Sequence, residues 1–361
     1  MKFHNLNIKS IQKITSEAVE ITFTIPESLR KNFKFLAGQY LTIAPVIEGT
    51  AHRRAYSICS AICTDTISIL VKKVEGGKVS TYVNEQLVPN TKLMVAEPNG
   101  SFALDHSSLE ERSHIILIGA GSGITPLLSI LQTVLKSTSA PTCHLFYGSK
   151  DANSIIFKDR LSRLKLVYKD RLRIHHFLSK HPANIKLDWP TYIYYKTGRI
   201  DQSYVSQEVK SIPEEQIYGA YLCGPSKLIE SSINTLEECG LQSDQIHREY
   251  FVVPESEDQE WAIDISELTE RKVNVTLGDQ KVQVKIDDNQ DILHALIEEG
   301  YEPPYSCLQG TCSTCKAKLV SGEVKMKVDI GLEQDEIEAG YILTCQSIPI
   351  SEEVSCEYES D

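Results

Sequence analysis

No run in this 361-residue chain approaches the ~18 consecutive apolar residues of a membrane-spanning helix, which argues against a helical membrane protein. Met1-Lys2-Phe3-His4 begins no signal peptide, so the expectation is a cytoplasmic protein with no membrane partner. Internal repeats and low-complexity tracts are absent as well. Positive charge is in short supply, with 37 Lys and Arg against 49 Asp and Glu for a net charge of −12. The shortfall is local: Pro254 to Asp361 hold 25 acidic and 8 basic residues, net −17, leaving +5 for the first 253. So acidic a module excludes nucleic acid; it either favours a positively charged partner face or simply stays soluble. At 41% apolar and 24% charged the composition is that of a soluble globular protein, long enough for two or three domains.

Cysteine is what the chain has in a pattern. Cys307, Cys312 and Cys315 form a C-x4-C-x2-C run, and Cys345 follows after 29 further residues. That is the plant-type [2Fe–2S] spacing, in which three thiolates on one tight loop and a fourth from a distant strand hold two irons. Gly310 is expected to keep the loop small. A structural zinc site would call for two separated short cysteine pairs, and the second is missing; a disulfide knot is the other alternative. The remaining six cysteines, Cys59, Cys63, Cys143, Cys223, Cys239 and Cys356, are scattered, as in a reducing compartment. Pro304 to Ala317 resembles the cluster loop of plant-type ferredoxins, with Leu308 where most such loops carry Arg. A hairpin from Lys272 to Lys285 turning at Gly278-Asp279, and a helix from Asp291 to Glu299 capped by Asp291, complete the module. The resemblance implies a β-grasp (α+β) ferredoxin domain over 271–361, after an acidic linker at 253–270.

Residues 1–104 alternate over short segments punctuated by Pro26, Gly38, Gly49, Gly76-Gly77 and Pro98-Asn99-Gly100, the pattern of an antiparallel β-barrel. Arg54-Ala55-Tyr56-Ser57 offers a bidentate phosphate partner, a ring for stacking and a hydroxyl. Gly77-Lys78-Val79-Ser80-Thr81 opens a helix whose free N–H groups suit a pyrophosphate. Together with Gly38-Gln39-Tyr40 these elements resemble the flavin domain of the ferredoxin–NADP reductase superfamily. The resemblance implies that Arg54, Gly77, Ser80 and Thr81 hold the flavin phosphates and that Tyr56 and Ser57 touch its ring. Room for a pyrophosphate favours FAD over the FMN used by reductases of the phthalate dioxygenase type.

From His114 strands and helices alternate, which implies an α/β domain with a parallel sheet, bounded at 105–252. Its first strand runs into Gly119-Ala120-Gly121-Ser122-Gly123-Ile124-Thr125-Pro126. Ile124 stands where the dinucleotide fingerprint has its third glycine, yet bare backbone ahead of a helix still suits a phosphate. The form resembles the nicotinamide-binding turn of the same superfamily, and Cys223-Gly224-Pro225 resembles its element beside the nicotinamide. Cys223 either takes a direct part or is a buried structural residue. Ser149 and Lys150 lean towards NADPH over NADH, against Asp151, with Lys180 and Arg199 as further candidates. Glu249 and Phe251 resemble the family's terminal acid and aromatic, the alternative being a solvated edge strand.

The order barrel, α/β domain and ferredoxin resembles the reductase components of multicomponent oxygenases, phenylacetyl-CoA epoxygenase systems among them. It implies electron flow from NAD(P)H through FAD to the [2Fe–2S] cluster and on to a terminal oxygenase or other acceptor protein, with Ser57, Tyr56, Cys223 and Glu249 at the catalytic centre. A free-standing diaphorase or ferric reductase, and a cluster-free binding domain beside an independent flavoprotein, are the competing possibilities.

Overall fold

The computed structural model describes residues 1–63, 65–105, 107, 109–138, 141–180, 193–251 and 271–359. These form two compact units: Lys2–His52 with Tyr56–Phe251, and the C-terminal residues with Met1 and Arg53–Ala55. The linker expected at 253–270 lies outside the described residues.

The first sheet is six-stranded and antiparallel, built from β1 (Phe3–Thr15), β2 (Ala18–Thr24), β3 (Tyr40–Ile43), β6 (Arg54–Ser57), β7 (Thr66–Lys72) and β8 (Lys92–Ala96) in the order β6-β3-β8-β1-β2-β7. A bridge between Ile58 and Ile69 joins the two outer strands and closes the barrel. Alternation drives Leu6, Ile8, Ile21, Phe23, Ile43 and Ile69 inward, as the period of two requires. A short hairpin, β4 (Val46–Ile47) and β5 (Thr50–Ala51), stands apart from the sheet. Helix α1 (Lys78–Glu85) buries Val79 and Val83 in the barrel core. Strand β1 runs from Phe3, five residues earlier than its alternation suggests, because β8 pairs along Phe3–Asn7.

The second sheet is wholly parallel. It comprises β9 (His114–Ala120), β10 (Thr142–Ser149), β11 (Leu172–Leu178), β12 (Tyr194–Thr197), β13 (Ile217–Gly224) and β14 (Ile246–Tyr250), with α2 (Ile124–Lys136), α3 (Lys158–Tyr168), α4 (Gln202–Val209) and α5 (Ser226–Glu237) between them. The order β12-β11-β10-β9-β13-β14 reverses direction at β9, so the crevice beyond the carboxyl ends of β9 and β13 is the topological switch point where such sheets bind ligands. Helix α3 begins at Lys158 and not at Asn153, because Asp151 caps a separate 3₁₀ turn at Ala152–Ser154.

The C-terminal unit carries a mixed five-stranded sheet, β16-β15-β21-β17-β19, formed by β15 (Arg271–Leu277), β16 (Gln280–Ile286), β17 (Lys316–Ser321), β19 (Tyr341–Leu343) and β21 (Glu353–Glu357). Gly278 turns the β15–β16 hairpin at φ 59°. Only β15 and β21 pair in parallel, and α6 (Ile292–Glu298) buries Ile292, Ala295 and Leu296 against the sheet, which is the β-grasp arrangement. Asp291 caps α6 by accepting from His294 N at 2.9 Å. The strands β18 (Val324–Met326) and β20 (Ser347–Pro349) pair separately, and α7 (Gln334–Glu338) precedes β19.

Candidate functional site

At the switch point the glycines are set by space. A Cβ on Gly123 would lie 2.0 Å from Cys223 O, and one on Gly119 would lie 2.6 Å from Leu127 Cδ1. The turn therefore packs directly on the end of β13. Gly121, at φ 56°, is the opposite case: a Cβ there meets nothing within 4 Å, so its backbone is bare to an incoming group. Thr125 Oγ1 donates to Ser122 O at 2.8 Å and Tyr147 Oη to Gly121 O at 3.0 Å, which fixes the shape of the turn. No side chain caps α2; its first residue, Ile124, donates its N–H back to Gly121 O and Ser122 O, and Pro126 sits in the first turn where it has no N–H to leave unsatisfied. Gly224 and Pro225 follow Cys223 on the opposite wall of the crevice, where a Cβ on Gly224 would stand 3.1 Å from Ala120 N.

Three side chains from distant parts of the sequence meet here. Ser57 Oγ donates to Glu249 Oε2, 192 residues further on, at 3.1 Å, and Cys223 Sγ approaches the same oxygen at 4.0 Å. Ser57 and Cys223 are buried, and Glu249 is half-buried with its carboxyl turned inward. Burial pushes the Glu249 carboxyl up to about 8, against the lowering effect of the Ser57 hydroxyl. Burial, and then the nearby Glu249, raise the Cys223 thiol well above its ordinary value. Cys223 is thus a neutral thiol and no nucleophile. Tyr56 packs its half-buried ring against the barrel core, and Phe251 packs against the α/β core. Arg54 is exposed, its Nη1 donating to Arg53 O at 2.7 Å.

The Gly77 turn adjoins an open groove of about 280 Å³ lined by Ile47, Glu48, Gly76, Lys78, Thr81 and Tyr82. Helix α1 starts there without a side-chain cap. The Ser80 hydroxyl is committed to the turn, accepting from Val74 N at 3.1 Å and donating to Gly77 O at 3.1 Å. It shapes the loop, as does Gly77 N by donating to Val74 O at 3.0 Å, while Thr81 lines the groove. A Cβ on Gly77 would come within 2.6 Å of Ser80 Oγ.

At the end of β10, Ser149 is buried with its hydroxyl 3.3 Å from His176 Nε2. Asp151 accepts from Asn153 N and Ser154 N, both at 3.0 Å, so its carboxylate is occupied as a cap. Lys150 and Lys180 are exposed and adjacent, Lys180 N donating to Lys150 O at 2.7 Å.

Four of the five cysteines of the C-terminal unit stand as two pairs. Cys315 Sγ and Cys345 Sγ are 3.3 Å apart, and Cys312 Sγ accepts from Cys307 N at 3.4 Å. Hydrogen bonding with Cys312 lowers the Cys307 thiol to about 5, and Gln309 N adds a bond to its sulfur at 3.3 Å. Among the described residues no three His, Cys, Asp or Glu side chains converge as on a single metal ion. Two thiol pairs with amides aimed at sulfur suit a two-iron group better than one tetrahedral zinc. The loop is held in unusual backbone: Leu308, Gly310 and Ser313 have φ of 61°, 73° and 50°. Gly310 is required less by neighbouring backbone than by side chains, since a Cβ would lie 2.8 Å from Gln346 Cγ. Gln346 itself is unmarked in the sequence, although it directly follows the fourth cysteine. Its Nε2 donates to Cys345 O at 2.8 Å and Leu308 O at 3.3 Å and lies 3.5 Å from Cys345 Sγ.

Family models match the chain in the same order as these sites: an oxidoreductase FAD-binding domain at residues 5–104, an oxidoreductase NAD-binding domain at 117–233 and a 2Fe-2S iron-sulfur cluster binding domain at 275–349. The fold and sites define a flavin- and iron–sulfur-dependent NAD(P)H oxidoreductase. The chain is 32% identical to one of the subunits of 1,2-phenylacetyl-CoA epoxidase from Escherichia coli, over 99% of its own length and 98% of that protein. It is 28% identical, over 98% and 96%, to the ferredoxin reductase component of 3-ketosteroid-9-alpha-monooxygenase from Rhodococcus rhodochrous. The chain belongs to this family of oxygenase reductase components. Its fold is shared with phthalate dioxygenase reductase, at a TM-score of 0.61 and 24% identity over 99% of this chain and 98% of that one.

Proposed function

We propose that the chain is the reductase of a multicomponent oxygenase, drawing on NADPH and serving a terminal oxygenase of the phenylacetyl-CoA epoxidase type. The observation that carries this is the whole-length likeness to the Escherichia coli epoxidase component in a chain with all three sites. Bound FAD accepts a hydride and yields electrons singly, and a bound [2Fe–2S] cluster carries one electron at a time.

The residues divide that work. Gly119, Gly121, Gly123, Thr125 and Pro126 would receive coenzyme phosphates at the start of α2, with Cys223, Gly224 and Pro225 as the wall beside the nicotinamide. Ser57 and the protonated Glu249 would hold a proton beside the flavin ring, against which Tyr56 would pack. Arg54, Thr81 and the start of α1 that follows Gly77 would hold the flavin phosphates, with Gly77 and Ser80 shaping their turn. The groove beyond Gly77 supports FAD over FMN, because only FAD has an adenylate half to fill it. NADPH is supported by the paired Lys150 and Lys180 and by the prior engagement of Asp151, while the buried Ser149 braces the site from behind. Cys307 with Cys312 and Cys315 with Cys345 would each hold one iron. None of the ten cysteines is paired in a disulfide, which supports a reducing, cytoplasmic location.

The test mixes purified protein with the oxygenase components of phenylacetyl-CoA epoxidase, NADPH and phenylacetyl-CoA. NADPH-dependent consumption of phenylacetyl-CoA is expected. Fast cytochrome c reduction with phenylacetyl-CoA untouched would sink the oxygenase assignment and leave a diaphorase. In the same assay Cys312→Ser should keep flavin reduction by NADPH at the wild-type rate and abolish transfer to the oxygenase.

A further inference from the structure

Helix α2 is buried along most of its length, yet it carries two polar side chains one turn apart whose targets lie in the barrel. Ser129 Oγ, fully buried, donates to Ser60 O at 2.7 Å, and Gln132 Nε2 donates to Cys59 O at 2.9 Å. Residues three apart share a helix face, so the two bonds form one grip. The gripped carbonyls belong to the second and third residues after Ser57. The same helix starts at the glycine turn that Gly123 presses against Cys223. One rigid element thus connects the nicotinamide crevice to the strand that presents Ser57.

A second strut lies alongside. Arg160 of α3 binds Glu20 of β2 bidentately, Nη1 to Oε1 at 2.9 Å and Nη2 to Oε2 at 2.6 Å, and Cys59 Sγ stands 3.5 Å from Glu20 Oε1. Apolar packing around α2 would tolerate sliding, because it is non-directional. Hydrogen bonds to two successive carbonyls do not, since they weaken steeply with distance and angle. Alanine and leucine would fill the same face as readily, so a bond-forming pair at these positions points to alignment over mere cohesion.

We propose that Ser129 and Gln132 are positioning residues for hydride transfer: they set α2, and the nicotinamide bound at its start, at a fixed distance from the flavin beside Ser57. This rests on the flavin and nicotinamide assignment above. The test compares the wild type, Ser129→Ala, Gln132→Leu and the conservative Ser129→Thr, each purified with its flavin. Anaerobic stopped-flow gives the rate of flavin reduction at saturating NADPH and the half-saturating NADPH concentration. Hydrogen exchange reports the peptide spanning residues 57–60. Ser129→Ala and Gln132→Leu should each slow reduction about tenfold, with half-saturation within about twofold of wild type, because a misplacement near 1 Å is felt in rate more than in binding. Peptide 57–60 should exchange faster in both, and Ser129→Thr, which keeps the hydroxyl, should recover the rate. Wild-type reduction rates in the first two variants overturn the proposal, even with a lowered Tm. Slowed reduction with unchanged exchange at 57–60 also counts against it. A wild-type protein whose flavin neither NADPH nor NADH reduces removes the underlying assignment as well.

Discussion

At Glu249 two influences oppose each other. Burial disfavours the carboxylate, the Ser57 hydroxyl favours it, and burial wins, so the group titrates near 8. A carboxyl raised in this way keeps its proton in the fold where the unfolded chain has lost it. Stability therefore declines as pH climbs from about 4.5 to about 8 and levels off above. Flavin reduction by NADPH should show a break near pH 8 in the wild type. Glu249→Gln should lose the break and gain Tm above pH 8. A wild-type profile flat from pH 6 to 9 would contradict the buried-acid role. Ser57, Cys223 and Glu249 were all legible in the sequence, because each sits at the end of a strand inside a recognisable short motif. Their state was not: that the Cys223 thiol and the Glu249 carboxyl are both raised follows only from their mutual burial.

Among the elements, the connection between β19 and β20 has the most unexpected task. Gln346 ties the fourth cysteine to the loop of the first three through Leu308 O, and it turns an amide towards Cys345 Sγ. Donors to sulfur stabilise the more negative, reduced form of a bound cluster. Gln346→Leu should shift the cluster's potential downward by on the order of tens of mV, followed by potentiometric EPR titration. An unmoved potential would confine the amide to holding the loop. Alternation and glycine punctuation revealed most strands, the β15–β16 hairpin and the capped α6. They left β4, β5, β17 to β21 and α7 unplaced, and they missed β12 and α4, although Asp201 accepts from Ser203 N and Tyr204 N as an ordinary N-cap. The long segment before them offered no regular period to register against. Ser129 and Gln132 could not have been read at all, since their partners are main-chain carbonyls 69 and 73 residues away and backbone acceptors leave no mark in a sequence.

Taken as a whole molecule, the chain is poorly prepared for acid. His144, His175 and His176 are buried on β10 and β11, and loss of hydration lowers them to about 3, 4 and 3. Glu208, 3.7 Å from His175 Nε2, offsets only part of this for His175. A depressed imidazole is neutral in the fold and charged in the unfolded chain, so its stability contribution is intact above pH 6.5 and lost as pH falls towards 4. At pH 5 His144 and His176 each cost roughly 2 kcal/mol. The urea midpoint followed by circular dichroism should therefore drop clearly between pH 7 and pH 5, and an unchanged midpoint would refute the buried-neutral assignment. The barrel raises a different matter of integrity. It is sealed by the bridge from Ile58 to Ile69, with Cys59 N donating to Ser68 O at 2.8 Å, immediately after Ser57 and on the strand that leads to the Gly77 turn. A flavin bound as proposed, between the strand that ends at Ser57 and the Gly77 turn, would brace that suture from both sides. Without it, each of the two strands would keep a single neighbour and turn a free edge to the next molecule. The flavin-free protein is therefore expected to stay dispersed in dilute solution and to associate on concentration, as light scattering would show.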